Sequence, residues 1–308
     1  MTAGKTANGL LRPLLSWLAI VTVVFVFLRL MSGDPVDIFM AQMNIHSSPE
    51  TVAAFRAQWG LDASLFTQFY RWLSGFLTLD WGKSFETGRP VLEEFMVRIP
   101  YSIAIGSGGM MLAVLLGYAI GFLAAYRPDG WADVFSRALA IAGQALPAFA
   151  VGLVLLWIFG VQLRWINAFG GETPERIILP MMLVSLFSLG SVARLTHAGF
   201  RDVRQSPWYR TALAKGRSDI GALWHHGREA ATVTLIAGLA PELAWIVGGT
   251  AVAEIVFGVP GLSERVVQAV VNRDYAVLQA YIALVALWMT VILHASRILQ
   301  RFLDPRLQ

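Results

Sequence analysis

Cysteine is absent from the 308 residues, and charged residues make up only 14% of them. The first absence excludes disulfides, thiolate metal sites and thiol nucleophiles, and it leaves the compartment open. The second excludes an ordinary soluble domain, which at this length exposes far more charge. A phosphate-binding loop is also missing. GKS at 82–84 has the ending of such a loop, but the upstream glycine it requires falls on Leu77. The apolar stretches hold no Ser/His, Asp/Asp or H-E-x-x-H arrangement. His225 and His226 are adjacent, so they diverge by about 100° on a helix, and no third ligand stands at helical spacing. The chain is therefore read as non-catalytic, with no metal site, no cofactor and no nucleic-acid partner.

What is present is membrane-grade sequence. Hydrophobic residues make up 56% of the chain and the mean hydropathy is +0.59. Spanning about 30 Å of hydrocarbon takes about 20 residues, and the segments 13–31, 101–126, 134–160, 177–200, 231–257 and 276–300 are long enough. The expected fold is an all-α membrane protein with six transmembrane helices. The first apolar run is too long for a signal peptide, and MSGDP at its end lacks an A-x-A-like cleavage site, so it reads as an uncleaved span. Lys and Arg concentrate at the N-terminus, in 194–228 and in the C-terminal tail, which places both termini in the cytoplasm. The expected division is 1–31 (cytoplasmic N-terminus and first span), 32–99 (an extracytoplasmic amphipathic region) and 100–308 (a five-span core).

Segment 32–99 opens on a Gly33-Asp34-Pro35 turn. Residues 49–58 read as a short polar helix begun after Ser47 and Ser48. Residues 64–77 are amphipathic, with Leu65, Phe69, Trp72, Phe76 and Leu77 near one face. That helix either rests on the outer leaflet or packs against the spans. Within the spans, Gly117 and Gly121 allow close helix approach, and Pro147 and Pro241 should kink spans three and five. Kinked spans either surround a pathway or are structural, and Pro147, Pro241 and Glu242 are the candidate pathway residues. Glu254 reads either as a structural hydrogen-bonder or as a group reaching water or a partner.

Residues 201–228 form a polar, Arg-rich island between two very apolar stretches. Ser206 suits a cap, Pro207 a first turn, and Gly216 interrupts the middle. A short basic helix between two spans, on the cytoplasmic side, is placed to be touched by something in the cytoplasm.

An ordered set of motifs adds to this reading. GDP at 33–35, WGLD at 59–62, LDWGKSF at 79–85, RPVLEE at 89–94 and LP at 179–180 are followed by YRTALAKG at 209–216. GGTAVAEIVFGVPGL at 248–262, NRDYAVLQA at 272–280 and LDPR at 303–306 complete it. The chain resembles the membrane permease subunit of bacterial ABC importers of the dipeptide/oligopeptide/nickel class. The resemblance implies that the 208–226 region docks into an ATPase subunit. By position, Tyr209, Ala212, Ala214, Lys215 and Gly216 match the coupling motif, and His226 matches a histidine beyond it. The family's Asn-Ala and following Pro are replaced by Ala230-Ala231 and Thr234, which bears on how span five begins. Implied partners are a second homologous permease subunit, two cytoplasmic ATPase subunits, an extracytoplasmic solute-binding protein and membrane lipid, in the bacterial inner membrane. The implied substrate is a peptide, nickel or a metal-chelate complex, with 161–176, RPVLEE and GGT leaning towards the nickel or metallophore branch. The alternative class is a stand-alone ion-coupled secondary transporter, which needs intramembrane charge pairs or internal repeats.

Overall fold

The computed structural model describes residues 3–30, 34–42, 48–165 and 174–303. Gly33 and most of the closing LDPR lie outside them. The described residues are helical almost throughout, with one isolated bridge between Lys83 and Pro90. The helices are α1 (Ala3–Leu30), α2 (Pro35–Gln42), α3 (Pro49–Gln58), α4 (Leu65–Leu77), α5 (Val91–Tyr126), α6 (Trp131–Ala145) and α7 (Ala148–Leu155). There follow α8 (Ile178–Arg204), α9 (Pro207–Ala214), α10 (Asp219–Gly249), α11 (Ala251–Val256), α12 (Leu262–Val271) and α13 (Tyr275–Leu303). Five stretches, Leu11–Leu30, Val91–Tyr126, Ile178–Arg204, Asp219–Val256 and Tyr275–Gln300, are long and apolar enough to cross a membrane.

The sixth candidate span is broken rather than kinked. Trp131–Ala145 and Ala148–Gln162 are bent by 109° relative to one another, and Pro147 is the residue from which α7 starts. Proline removes a helical donor and its ring clashes with the preceding turn, so the chain turns a corner where a bend was expected. Beyond Leu155 the helix widens to a π-helical segment, Leu156–Gln162. Pro241, by contrast, lies inside an unbroken α10.

Serine sets four of the helix starts. Ser48, Ser64, Ser206 and Ser218 accept from the N–H groups of Thr51, Thr67, Tyr209 and Gly221 at 3.2–3.4 Å. Each satisfies one of the donors a helix N-terminus leaves free. Two helices reach further than their apolar runs. Helix α5 begins at Val91 with Pro100 inside it, and α10 begins at Asp219. Thr234, where the family has proline, donates its hydroxyl to Ala230 O at 2.9 Å, so α10 passes through this region without interruption.

The chain divides into two compact units, residues 1–100 with 260–290, and 101–259 with 291–308. In the first, α4 lies on α1. Phe69 meets Phe25 edge-on at 5.2 Å, Phe76 meets Trp17 at 5.9 Å, and Trp17 Nε1 donates to Ala283 O on α13 at 3.0 Å. This favours the second of the two expectations for α4, packing against a span. Leu65 and Leu77, expected on that face, are exposed instead.

The first unit also buries a full charge cluster that the sequence reading passed over. Arg265, 2% exposed, donates to Glu94 and Glu86 at 2.9 Å each, to Ser84 at 3.0 Å and to Asp274 at 3.1 Å. Asp274 is fully buried and also accepts from Ser84 Oγ at 2.6 Å and Phe85 N at 3.1 Å. Burial alone would lower the Arg265 pKa, but the Glu94 bond and the charges of Asp274, Glu94 and Glu86 outweigh it and hold it above its ordinary value. Ser84, the end of the rejected GKS motif, is thus engaged with Asp274. The motifs LDWGKSF, RPVLEE and NRDY, used only as recognition marks, converge on this one arginine.

In the second unit α8 is central, and small residues set how near its neighbours come. A Cβ on Gly121 of α5 would stand 2.5 Å from Ala193 O, and one on Gly117 would stand 2.7 Å from Val192 Cγ1. Gly190 meets Ala140 of α6, and Gly199 meets Ala231 of α10, with equally little room. Glu254 is fully buried and accepts from Ser102 Oγ at 2.7 Å and Thr250 Oγ1 at 2.5 Å. Of the two roles open to it, the structural one holds.

Candidate functional site

The island folds as two pieces, not one helix. Helix α9 runs from Pro207 to Ala214, and α10 starts at Asp219, after four intervening residues that end in the Ser218 cap. Between them Gly216 adopts φ +83°. Its N–H bonds Leu213 O at 2.9 Å, and the Arg217 N–H bonds Ala212 O at 3.2 Å. This pair of bonds satisfies the last carbonyls of α9 and requires a left-handed residue, which glycine supplies without strain. A Cβ here would meet open space, so the requirement is one of backbone conformation rather than bulk.

Helical spacing then sorts the motif residues into two faces. Tyr209 and Ala212, three apart, point inward and are 3% and 9% exposed. They pack with Ala125, Phe200, Ala222 and Leu223. Trp208, Arg210, Leu213, Ala214 and Lys215 face outward. The outer face therefore combines two large apolar side chains with two cations. Arg217 and Ile220 extend it into the start of α10, and both are exposed. Ala212, one of the motif residues, is packed against the protein's own core. His226 lies on α10, half-buried, with its ring 5.5 Å from Trp208. The His225 and His226 rings are 4.9 Å apart, and no group of three or more metal-ligating side chains occurs among the described residues.

Two residues the sequence reading missed fix this helix to three others. Arg204, in the last turn of α8, donates to Ala125 O at 2.8 Å and Tyr126 O at 2.7 Å, the terminal carbonyls of α5. A cation there also suits the negative end of the α5 dipole. Its other nitrogen lies 3.7 Å from Asp219 in the first turn of α10. Asp219 in turn accepts the Tyr209 hydroxyl of α9. Burial, and then this hydrogen bond, push the Tyr209 phenol up to about 12. Behind the clamp, Phe200 of α8 stands 5.0 Å from Phe122 of α5, and Phe122 stands 5.2 Å from Trp224 of α10. Both charges sit where helix-end preferences put them, which was the only signal available for either.

Among the described residues, no side-chain hydrogen bond or ion pair joins Pro147 to Pro241 or Glu242. Pro147 stands at the break before α7 and is exposed; Pro241 is exposed and Glu242 half-buried, both inside α10.

Such an arrangement, apolar spans joined by a stiffly held, outward-facing basic and aromatic helix, is that of a multi-pass membrane protein. Comparison with known proteins gives the family. Residues 117–308 match the binding-protein-dependent transport system inner membrane component. Residues 9–106 match the N-terminal region of such membrane components. The chain belongs to this family. It is 33% identical over 304 residues to the glutathione transport system permease protein GsiC of Salmonella paratyphi A, covering 99% of this chain and 97% of that protein. It is 32% identical over 311 residues to the probable peptide ABC transporter permease protein y4tP of Sinorhizobium fredii, covering 97% and 98%. GsiC of Escherichia coli K12 is 32% identical over 285 residues, 92% of each chain. The protein is thus a permease subunit of an ABC importer, a multi-pass component of the bacterial inner membrane. It works in a complex with ATPase and binding-protein partners. The stand-alone secondary transporter is set aside, because both family matches are to binding-protein-dependent systems.

Proposed function

We propose that the chain forms half of an import pathway for small peptides and is driven by an ATPase docked on the outer face of α9. The observation that carries this is the sorting of that helix. Tyr209 and Ala212 anchor its back, while Trp208, Leu213 and Lys215 are free for a partner. Large apolar anchors flanked by cations suit a groove that buries the former and offers carboxylates to the latter. The complete importer holds a second homologous permease, two ATPase subunits, and an external solute-binding protein that presents the substrate. Both termini and the 201–228 loop lie on the cytoplasmic side, where positive charge concentrates. ATP binding closes the ATPases and displaces α9, and the pathway changes its open side. This subunit supplies no covalent chemistry, and ATP hydrolysis belongs to the partners. The peptide class rests on relatives named for glutathione and peptide transport. Glu242, half-buried on α10 and in no ion pair among the described residues, is assigned to the pathway with Pro241 and Pro147.

Leu213→Asp tests docking. It changes an exposed residue outside every span. Membrane insertion should be normal, while co-purification of the ATPase and uptake of a labelled peptide are lost. Wild-type ATPase recovery from this variant would rule the docking face out.

A further inference from the structure

Besides Arg273 Nη1, three buried side-chain N–H donors of the first unit have no acceptor among the described residues: Arg29 Nη1, Trp72 Nε1 and Gln279 Nε2. They gather at one corner of α1, α4 and α13. Trp72 and Gln279, the latter 5% exposed, line a single narrow trench walled by Val21, Val24, Phe25 and Ile282. The Arg29 guanidinium lies over the Phe25 ring at 4.8 Å and the Tyr275 ring at 4.7 Å. Phe25 is one turn before Arg29 on α1, and Tyr275 one turn before Gln279 on α13. Arg29 donates its Nε to Gln68 Oε1 at 2.9 Å and forms no ion pair among the described residues. Asp34, the next acid along the chain, is taken by Arg56 at 2.6 Å.

A buried donor left unpaired costs the full desolvation of that group, and an unpaired cation costs more, so three together imply a missing acceptor. Inside the trench there is no room for a water molecule to serve Trp72 and Gln279. The surroundings name its chemistry. α1 and α13 are both membrane spans. From Val21 to Arg29, α1 climbs about 12 Å, with a cation at the top, neutral donors beside it and an apolar slot below. The neighbouring face of α4 shows Phe66 and Tyr70 outward, 78% and 66% exposed.

We propose that this corner is a binding site for a phospholipid. The lipid phosphate accepts from Arg29 Nη1, an ester carbonyl accepts from Trp72 Nε1 and Gln279 Nε2, and an acyl chain enters the trench as Val24 turns aside. Charge-assisted bonds from arginine to phosphate are the strong ones, and a basic pocket between spans is where a headgroup is retained. The site is independent of the docking face, since none of its residues takes part there. A free anion shares the phosphate chemistry but has no use for the trench.

The test is native mass spectrometry of the purified, delipidated transporter complex titrated with dioleoyl-phosphatidylglycerol, with glycerol 1-phosphate as the tail-free probe. The wild type should retain a lipid that Arg29→Gln holds about tenfold less tightly. Trp72→Phe, which keeps an aromatic ring and removes the N–H, should weaken it several-fold. Val23→Ala, a change on the exposed face of α1 at a residue 67% exposed, should bind as the wild type does. Equal retention by the wild type and Trp72→Phe overturns the proposal, and that variant remains informative if Arg29→Gln fails to insert. Displacement of the lipid by equimolar glycerol 1-phosphate also overturns it, in favour of a small-anion site.

Discussion

Replacing Arg265 by glutamine removes the one cation that three carboxylates share. The side chain is 2% exposed, and its partners differ in how far water replaces it. Glu86 is 29% exposed and rehydrates, Glu94 is 9% exposed, and Asp274 is sealed at 0%. Asp274 keeps the Ser84 hydroxyl at 2.6 Å and the Phe85 N–H at 3.1 Å, so its hydrogen bonding survives but its charge is uncompensated. Removing one partner of a buried pair costs about 3–5 kcal/mol, and the solvation open to Glu86 puts this case near about 3 kcal/mol. At about 1.4 kcal/mol per decade, local opening of the 84–94 segment should become about a hundredfold more frequent. Hydrogen exchange in the assembled complex reads this directly. The Phe85 N–H is bonded to Asp274, and the Thr87 N–H to Ser84 Oγ at 3.0 Å, so both are reporters. Adding Asp274→Asn to Arg265→Gln should restore part of the lost protection. Protection of both amides unchanged within about threefold in Arg265→Gln would refute the reasoning.

Further outcomes are expected elsewhere. At Gly216, with φ +83°, alanine should cost about 1–2 kcal/mol in backbone strain, asparagine less and valine more; ATPase recovery and uptake should fall in the order Asn, Ala, Val, and an order that follows side-chain volume alone would contradict this. Tyr209 is raised from 10.0 to about 12, so its contribution is complete below pH 10 and lost as pH rises towards 12. Thermal unfolding of the detergent-solubilised complex between those values should fall more steeply in the wild type than in Tyr209→Phe, and identical profiles would remove the Asp219 bond from the account. Ser74 and Gln205 are both exposed; in this cysteine-free chain, an impermeant outside reagent should label Ser74→Cys but not Gln205→Cys, and the reverse pattern would invert the topology.

Local chemistry was legible in the sequence where the cause itself is local. Ser206 and Pro207 act within one turn of their own backbone, so they announced the start of α9, whereas Gly216, read as an interruption, lies in the turn that ends it. Apolar runs placed the spans but not the polar extensions of their helices, and α5 and α10 continue beyond hydrocarbon length because neighbouring protein supports them. Pro147 announced a disturbance; whether it bends or breaks depends on what the two arms pack against. Which side of α9 faces outward was hidden for the same reason, since Tyr209 and Ala212 are buried by residues as distant as Ala125 and Leu223. Arg265 was least legible of all. Its partners Ser84, Glu86 and Glu94 lie far off in the chain, and each alone reads as an ordinary solvated residue.

The joints on either side of α9 are short. Two residues separate it from α8, and the four between it and α10 are closed by the Gly216 turn and the Ser218 cap. A push on α9 therefore has no slack to take up. It arrives at α10, a rod of 31 residues that continues unbroken through Pro241, about 46 Å long. Pivoted near Asp219, a tilt of only about 5° would carry the far end through about 4 Å, on the scale of one helical turn. On the proposed docking, a small stroke at α9 becomes a larger one at the far end of α10, with the Arg204–Asp219–Tyr209 clamp as the fulcrum.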